Sequence, residues 1–211
     1  MSKVTGVTAD LADDVLLRRM MAGGEEAFTA LYRRRQSAVY RFALHMSGNA
    51  AVAEDVVQEV FMTLIRDAQR FDPSRGSLGG FLIGIARNHL RRRWERDRRT
   101  VPLLEESDSA SFTFSGNGNG HHSGNVARAD DRFATLDAIA RVRGAISTLP
   151  ENYREVVILC ELQEMSYEEA AAALDCPIGT VRSRLHRARA LLVGKLRSEQ
   201  KQPARHAVAS E

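Results

Sequence analysis

A stretch near the middle of the chain, ESDSASFTFSGNGNGHHSGN (residues 106–125), constrains the fold more than any other feature of the sequence. It has almost no aliphatic side chains and is dense in Ser, Gly and Asn, a composition typical of flexible linkers. Such a segment cannot contribute much apolar surface to a core. The 211 residues are therefore expected to form two small domains joined by this linker.

Apolar residues on both sides of the linker recur at steps of three and four, the spacing of amphipathic helices. No segment alternates as a strand does, so the predicted fold is all-α, with two small helical domains. The spacing predicts helices over residues 13–21, 25–45 and 167–174, a helix after the N-cap Asn49, and one that begins near Leu78 to Phe81. The predicted organisation is an N-terminal tail (1–10), a first domain (11–99), a linker (100–131), a second domain (132–197) and a polar tail (198–211).

The net charge of +3 conceals an uneven distribution of charge along the chain. Basic residues concentrate at 91–99 and 182–189, whereas acidic residues concentrate at 54–59. Two separate basic patches indicate contacts with a polyanion at two places, and the acidic cluster indicates a partner of another kind.

Cys160 and Cys176 are the only cysteines, and they form no CxxC motif. They are expected to be buried small hydrophobes in a reducing compartment. The first residues lack the apolar segment of a signal peptide, and no apolar run is long enough to cross a membrane. The sequence therefore predicts a cytoplasmic protein with no membrane insertion.

The second domain contains the pattern of a helix-turn-helix. Ser166 and Glu169 have the spacing of a capping box, which opens a short helix. Asp175 follows at the turn, where glycine is common, and Asp tolerates the left-handed conformation better than most residues. Two short helices around a tight turn, the second of them basic, are the arrangement that a DNA-binding helix-turn-helix requires.

The second helix of this motif, in CPIGTVRSRLHRARALL (residues 176–192), carries four arginines and one histidine. Val181 and Leu185 lie on its apolar face and are expected to fill the core between the two helices. A basic face of this kind is often only solvated, but a solvated face usually mixes charges of both signs. Residues 178–196 contain no acidic side chain at all, which favours a surface that binds phosphates.

Two long segments resemble a known family. The segment LPENYREVVILCELQEMSYEEAAAALDCPIGTVRSRLHRARALL resembles region 4 of the extracytoplasmic-function (ECF) sigma factors of bacterial RNA polymerase. The segment AFTALYRRRQSAVYRFALHMSGNAAVAEDVVQEVFMTLIRDAQRFDPSRGSLGGFLIGIARN resembles their region 2. The resemblance implies a non-enzymatic specificity subunit whose region 4 recognises the −35 promoter element and whose region 2 recognises and helps to open the −10 element.

The resemblance also assigns residues to each surface. In the recognition helix it implies groove-facing Arg182, Ser183, His186 and Arg187, with Thr180 and Arg184 nearer the phosphates. In region 2 it implies DNA contacts by Asn88, Arg91, Arg92 and Trp94, where Trp94 either stacks on a base or packs against the edge of its own domain. Docking on the clamp helices of the largest polymerase subunit falls to Asp55, Gln58 and Glu59, and region 4 is expected to meet the polymerase flap.

The implied partners are core RNA polymerase, promoter DNA and an anti-sigma factor, with no cofactor, metal or small-molecule substrate. Two other functions compete with this interpretation. A free-standing helix-turn-helix regulator would bind DNA without polymerase. A metal-dependent nuclease would use Glu54, Asp55 and Glu59 as ligands, but no motif elsewhere supplies the further ligands that it needs. The pair His121–His122 has no nearby cysteine or carboxylate that would complete a metal site.

Overall fold

A computed structural model describes residues 11–100 and 126–200, and it describes the side chains of 11–98 and 137–198. The first part consists of four helices: α1 (Asp13–Met21), α2 (Glu25–Ser47), α3 (Ala50–Asp67) and α4 (Leu78–Thr100). The second part consists of four more: α5 (Val126–Ser147), α6 (Glu151–Val157), α7 (Tyr167–Leu174) and α8 (Ile178–Gln200). Neither part contains a strand, and the all-α prediction is confirmed.

The predicted tails over 1–10 and 201–211 lie outside the described residues, as does the linker segment 101–125. Helix α5 begins within the predicted linker, and α4 extends to its first residue. The predicted domain boundaries stay predictions.

Local capping rules account for the ends of several helices. The Asn49 side chain accepts a hydrogen bond from the Val52 backbone N–H at 3.2 Å, as the predicted N-cap requires. Ser166 and Glu169 form the reciprocal capping box at the start of α7. Asp175 ends α7 in the left-handed conformation, with φ 50° and ψ 52°. These three local predictions are confirmed.

The first four helices enclose a core of large aliphatic and aromatic side chains. Leu16 of α1, Leu31 and Phe42 of α2, Leu64 of α3 and Leu82 of α4 are all fully buried. Each lies on the apolar stripe of its helix, so burial of that stripe holds the four helices together.

A second group of buried side chains joins α6, α7 and α8. Val181 and Leu185 of α8 are buried against α7, as the helix-turn-helix pattern predicts. Ile158 and Leu159 are also buried, and they lie in a π-helical segment (Ile158–Leu162) that continues α6. Nothing in the sequence pattern predicted this segment. Cys160 and Cys176 are half-buried and not buried as expected, and burial raises the pKa of the Cys160 thiol.

The two groups of helices pack directly against each other through α4 and α7. Gly76, Gly80 and Gly84 are spaced four residues apart, and side-chain carbons at these positions would approach α7 closely. A Cβ at Gly76 would lie 3.1 Å from the Cβ of Ala172, and one at Gly84 would lie 3.4 Å from the carbonyl oxygen of Ala173. Small residues on both helices therefore permit the close approach, and the two cores form one continuous cluster.

An ion pair is buried at this interface between the two groups of helices. Arg87 Nε of α4 donates to Glu155 Oε1 of α6 at 2.5 Å, and the Glu155 side chain is fully buried. Burial raises the pKa of the Glu155 carboxyl, although the Arg87 guanidinium acts in the opposite direction. Other hydrogen bonds also cross between the groups: among them, Arg154 donates to the carbonyl of Met46 at 2.9 Å and Gln163 to that of Ala38 at 3.1 Å.

Candidate nucleic-acid interface

Helix α8 presents its polar face to solvent at the outer edge of the second domain. Its buried side is formed by Val181, Leu185 and Ala188, which pack against the rest of the domain. Because a helix turns through about 100° per residue, Ser183 and Arg187 lie on the opposite side, and both are exposed. The outer face of α8 is thus available to enter a groove.

The predicted recognition residues differ in their exposure. Arg182 and His186 are exposed, whereas Thr180 and Arg184 are half-buried at the sides of the helix. The charge of Arg184 lies close enough to the buried Glu155 to lower the pKa of that carboxyl. This placement is compatible with the division into groove-facing and phosphate-facing residues, which stays a prediction.

Two residues that the sequence analysis did not single out contact the arginines of α8. The Arg182 guanidinium lies over the ring of Tyr167, with Cζ 5.9 Å from the ring centroid. Arg189 Nε donates to Glu161 Oε1 at 3.1 Å. Packing of α8 against α7 and against the end of the α6 segment brings these residues together, so periodicity alone gave no signal for them.

The predicted region 2 contacts lie along α4. Asn88, Arg91 and Arg92 are exposed, whereas Trp94 is half-buried and packs against the hydrophobic cluster. Arg91 Nε lies 3.8 Å from Glu151 Oε1, so this arginine pairs with an acid of the other group of helices. The packing of Trp94 agrees with one of its two interpretations, and its role in base stacking stays a prediction.

The predicted docking residues lie together on one exposed side of α3. Asp55, Gln58 and Glu59 are all exposed, and Asp55 Oδ2 accepts a hydrogen bond from Arg93 Nη1 at 3.3 Å. Next to them, α2 and α3 border a groove of about 820 Å³. Met62 and Ile65 line this groove with more than half of their surface exposed. The acidic surface therefore continues into an apolar one.

The carboxylates of α3 do not converge as a nuclease site requires. Over the described ranges, no three His, Cys, Asp or Glu side chains lie where they could hold a metal ion. The pair His121–His122 lies outside those ranges. His89 contacts Thr63 at 3.3 Å, and burial lowers the pKa of its imidazole. None of the helices searched in 11–100 and 126–200 has the length and apolar character needed to span a bilayer.

Comparison with known proteins finds the same two modules. Residues 31–100 match the family Sigma-70 region 2, and residues 139–192 match Sigma-70, region 4. The chain is 31% identical to the ECF RNA polymerase sigma-E factor of Escherichia coli K12, over 90% of this chain and 97% of that protein. It is 34% identical to the ECF RNA polymerase sigma factor SigE of Mycolicibacterium smegmatis, over 75% of this chain and 57% of that protein.

A solved structure has a similar fold. It is the sigma factor RpoE from Bartonella quintana, in complex with the anti-sigma factor NepR. The TM-score is 0.57 at 26% identity, and the match covers 81% of this chain and 96% of that one.

Proposed function

The chain belongs to the ECF sigma factors of RNA polymerase, which direct promoter-specific transcription initiation, and we propose which of its surfaces perform each part of that task. Helix α8 reads the −35 element, α4 engages the −10 element, and the exposed side of α3 docks on core polymerase. The observation that carries the proposal is the outer face of α8, which is basic, exposed and without acidic side chains over residues 178–196.

In the −35 element, α8 enters the major groove with its outer face toward the bases. Arg187 is one candidate for direct base contact because it is exposed on that face and has no ion-pair partner among the described residues. A guanidinium fits guanine O6 and N7 bidentately. Thr180 and Arg184, at the sides of the helix, are placed to contact phosphates and thereby fix the register.

In the −10 element, the exposed polar residues of α4 bind the strand that is displaced on opening. Arg91 and Arg92 supply positive charge for the backbone, and Asn88 supplies an amide that can hydrogen-bond a base. Trp94 is half-buried and offers part of its ring for stacking on an unpaired base. The chain contributes binding energy to strand opening and performs no covalent chemistry itself.

Docking on the clamp helices uses charge and apolar contact together. Asp55, Gln58 and Glu59 form a polar edge, and the groove with Met62 and Ile65 supplies apolar area beside it. The second domain also exposes apolar side chains of its own, and we assign them to contact with the polymerase flap: Ile139, Val142, Leu191 and Val193. Because core polymerase works in the bacterial cytoplasm, the chain acts there.

The packed arrangement of the two domains has to open for both promoter elements to be bound. Positions −35 and −10 differ by about 25 base pairs, which is about 85 Å of B-DNA. Helix α4 contacts α7, and α7 contacts α8. Since helices in contact lie about 8–10 Å apart, α4 and α8 approach within about 20 Å. The 25 residues of segment 101–125 can extend by at most about 85 Å, which permits the separation.

The same packed arrangement suits control by an anti-sigma factor. The similar structure of RpoE is a complex with the anti-sigma factor NepR. We propose that this chain has an anti-sigma partner too, which holds the domains where α4 and α8 cannot reach both elements. Release of the partner then makes the docking surface and both helices available to polymerase and DNA.

The decisive experiment is transcription with purified core polymerase on a library of genomic fragments. We expect promoter-specific transcripts only when the protein is added. Arg187→Ala is expected to weaken −35 recognition by about 1–3 kcal/mol, measured as the affinity of the holoenzyme for the promoter. If the protein binds specific DNA alone and never yields promoter-specific transcripts with core, it is a free-standing regulator and the proposal fails.

Docking is tested separately by co-purification with core polymerase. The double variant Asp55→Ala, Glu59→Ala is expected to lose co-purification while keeping its fold, since the exposed Asp55–Arg93 pair contributes at most about 1 kcal/mol. The matched control is Glu25→Ala, Glu26→Ala, which removes two exposed carboxylates from α2. Equal retention of core by both double variants would contradict the docking assignment.

A further inference from the structure

Tyr167 lies between two arginines of the recognition helix, at the point where α7 begins. It is the first residue of α7 and lies inside the capping box of Ser166 and Glu169, whose two hydrogen bonds are 3.0 and 3.1 Å long. Its side chain is half-buried and packs against the hydrophobic cluster. The backbone and the ring of Tyr167 are therefore both fixed in position, so the ring can support another side chain.

The ring of Tyr167 supports Arg182. The Arg182 guanidinium lies 5.9 Å from the ring centroid, within the range of about 6 Å over which a cation is attracted to an aromatic face. Arg182 is exposed and forms no ion pair with the residues that the structure describes. Within the described part of the chain, the Tyr167 ring is thus the one group that the structure places against the charge of this guanidinium.

The second arginine, Arg189, is held on the same side of α8, two turns further along. Its Nε and Nη2 donate to Glu161 Oε1 at 3.1 and 2.5 Å. Glu161 raises the pKa of the Arg189 guanidinium, above all through their hydrogen bonds, and the nearby Tyr167 side chain acts in the same direction. Tyr167 is therefore close to both arginines, and its ring lies beneath Arg182.

The two arginines consequently differ in what they can offer to DNA. Arg189 already has an acidic partner, whereas the positive charge of Arg182 has none and remains available to a base or phosphate. Bidentate binding of guanine requires the plane of the guanidinium to be fixed. A guanidinium held over an aromatic ring has fewer orientations to lose on binding, and this restriction favours the orientation that binds the base.

We propose that Tyr167 is a positioning residue for promoter recognition, which holds the Arg182 guanidinium in the orientation that reads one base pair of the −35 element. This inference rests on the proposed function of α8. It makes a residue outside the recognition helix a determinant of base preference, through the ring and not through the hydroxyl.

The test is selection of promoters by the reconstituted holoenzyme from DNA randomised across the −35 element. Arg182→Ala is expected to abolish the preference at one base pair. Tyr167→Leu is expected to reduce the preference at that same base pair at least about fivefold, and Tyr167→Phe to retain it because the ring remains. The double variant Arg182→Ala, Tyr167→Leu is expected to lose no more at that position than Arg182→Ala does.

The control for general damage to the domain is Tyr153→Leu, which removes a half-buried tyrosine of α6. It is expected to leave every base preference unchanged. Should Tyr167→Leu fail to fold by circular dichroism, Tyr167→Met removes the ring with a flexible apolar chain and is expected to give the same loss.

Three results would overturn the inference. One is an unchanged preference in the folded ring-removal variant. Another is a loss that is equally large in the Arg182→Ala background, since this would show that Tyr167 acts without Arg182. The third is a Tyr167→Phe variant as defective as Tyr167→Leu. If the wild-type holoenzyme selects no −35 sequence, the proposed function itself fails, and the inference fails with it.

Discussion

Helices α4 and α8 both contain 23 residues, and both carry basic residues assigned to DNA. They differ in how many of their arginines pair with carboxylates. On α4, Arg87, Arg91 and Arg93 each pair with a carboxylate. On the outer face of α8, Arg187 has no ion-pair partner among the described residues, and the only described ion pair of α8 is that of Arg189.

The acids that pair with α4 explain this contrast. Two of the three, Glu151 and Glu155, belong to α6 and therefore come from the other domain. Packing of the domains thus neutralises charge on the helix assigned to the −10 element and leaves the −35 surface exposed. The proposed assignments therefore predict that, in this arrangement, α8 meets duplex DNA before α4 is available.

The largest effect is expected from Arg87→Ala, which removes the cation beside a fully buried carboxylate. Leaving a buried charge without its partner costs about 3–5 kcal/mol, and separation of the domains relieves that cost by hydrating Glu155. We expect the variant to have a larger radius of gyration by small-angle X-ray scattering. Its urea unfolding is expected to divide into two transitions.

The matched control for this variant is Arg93→Ala. It removes an arginine of the same helix from an exposed pair within one domain, which is worth at most about 1 kcal/mol. Its radius of gyration is expected to equal that of the wild type. An equal expansion of both variants would mean that the buried pair does not hold the domains together.

A smaller effect is expected from pH, through the carboxyl of Glu155. Burial raises its pKa above the ordinary value of 4.5, while Arg87 and Arg184 lower it and Glu151 raises it. The packed state therefore binds the proton more tightly than the separated state does. Its stability decreases as pH rises from 4.5 to the raised pKa, and it is constant above that pKa.

Glu155→Gln is expected to remove this part of the pH dependence, because the amide has no proton to lose. The measurement is the urea midpoint of the wild type and the variant from pH 4.5 upward. Because burial disfavours a charged group at this position relative to a neutral one, the neutral amide is expected to keep the domains packed. A steeper pH dependence in the variant than in the wild type would contradict the raised pKa.

Much of the local structure could be predicted from the sequence because it depends on neighbouring residues. The bounds of α1 and α7 follow from apolar spacing and caps, and the left-handed Asp175 follows from its place in the turn. The exposure of Ser183 and Arg187 follows from the same periodicity. These features involve contacts a few residues apart, where the rules for helices are sufficient.

The contacts between the domains could not be predicted in this way. Arg87 and Glu155 are 68 residues apart in the chain, and neither residue has a local signal that names its partner. The glycines at 76, 80 and 84 lie in or next to a stretch that resembles an ordinary loop, so the sequence gives no local signal of their shared contact with α7. In the site, the position of the Arg182 guanidinium over the Tyr167 ring depends on the turn that joins α7 to α8.

The smallest effect is expected from Glu151→Ala, which frees Arg91 from the acid 3.8 Å away. Both side chains are roughly half exposed, so the pair contributes at most about 1 kcal/mol to packing of the domains. The gain in affinity for DNA has the same limit of about 1 kcal/mol, because it arises only from the Glu151 pair that Arg91 no longer has to give up when it binds a phosphate. We expect a slightly higher affinity of the variant alone for single-stranded −10 DNA at low salt. The difference in affinity should vanish in the holoenzyme, where the proposal has the domains already apart. If it persists there, Glu151 acts on DNA directly and not by pairing with Arg91 across the packed domains.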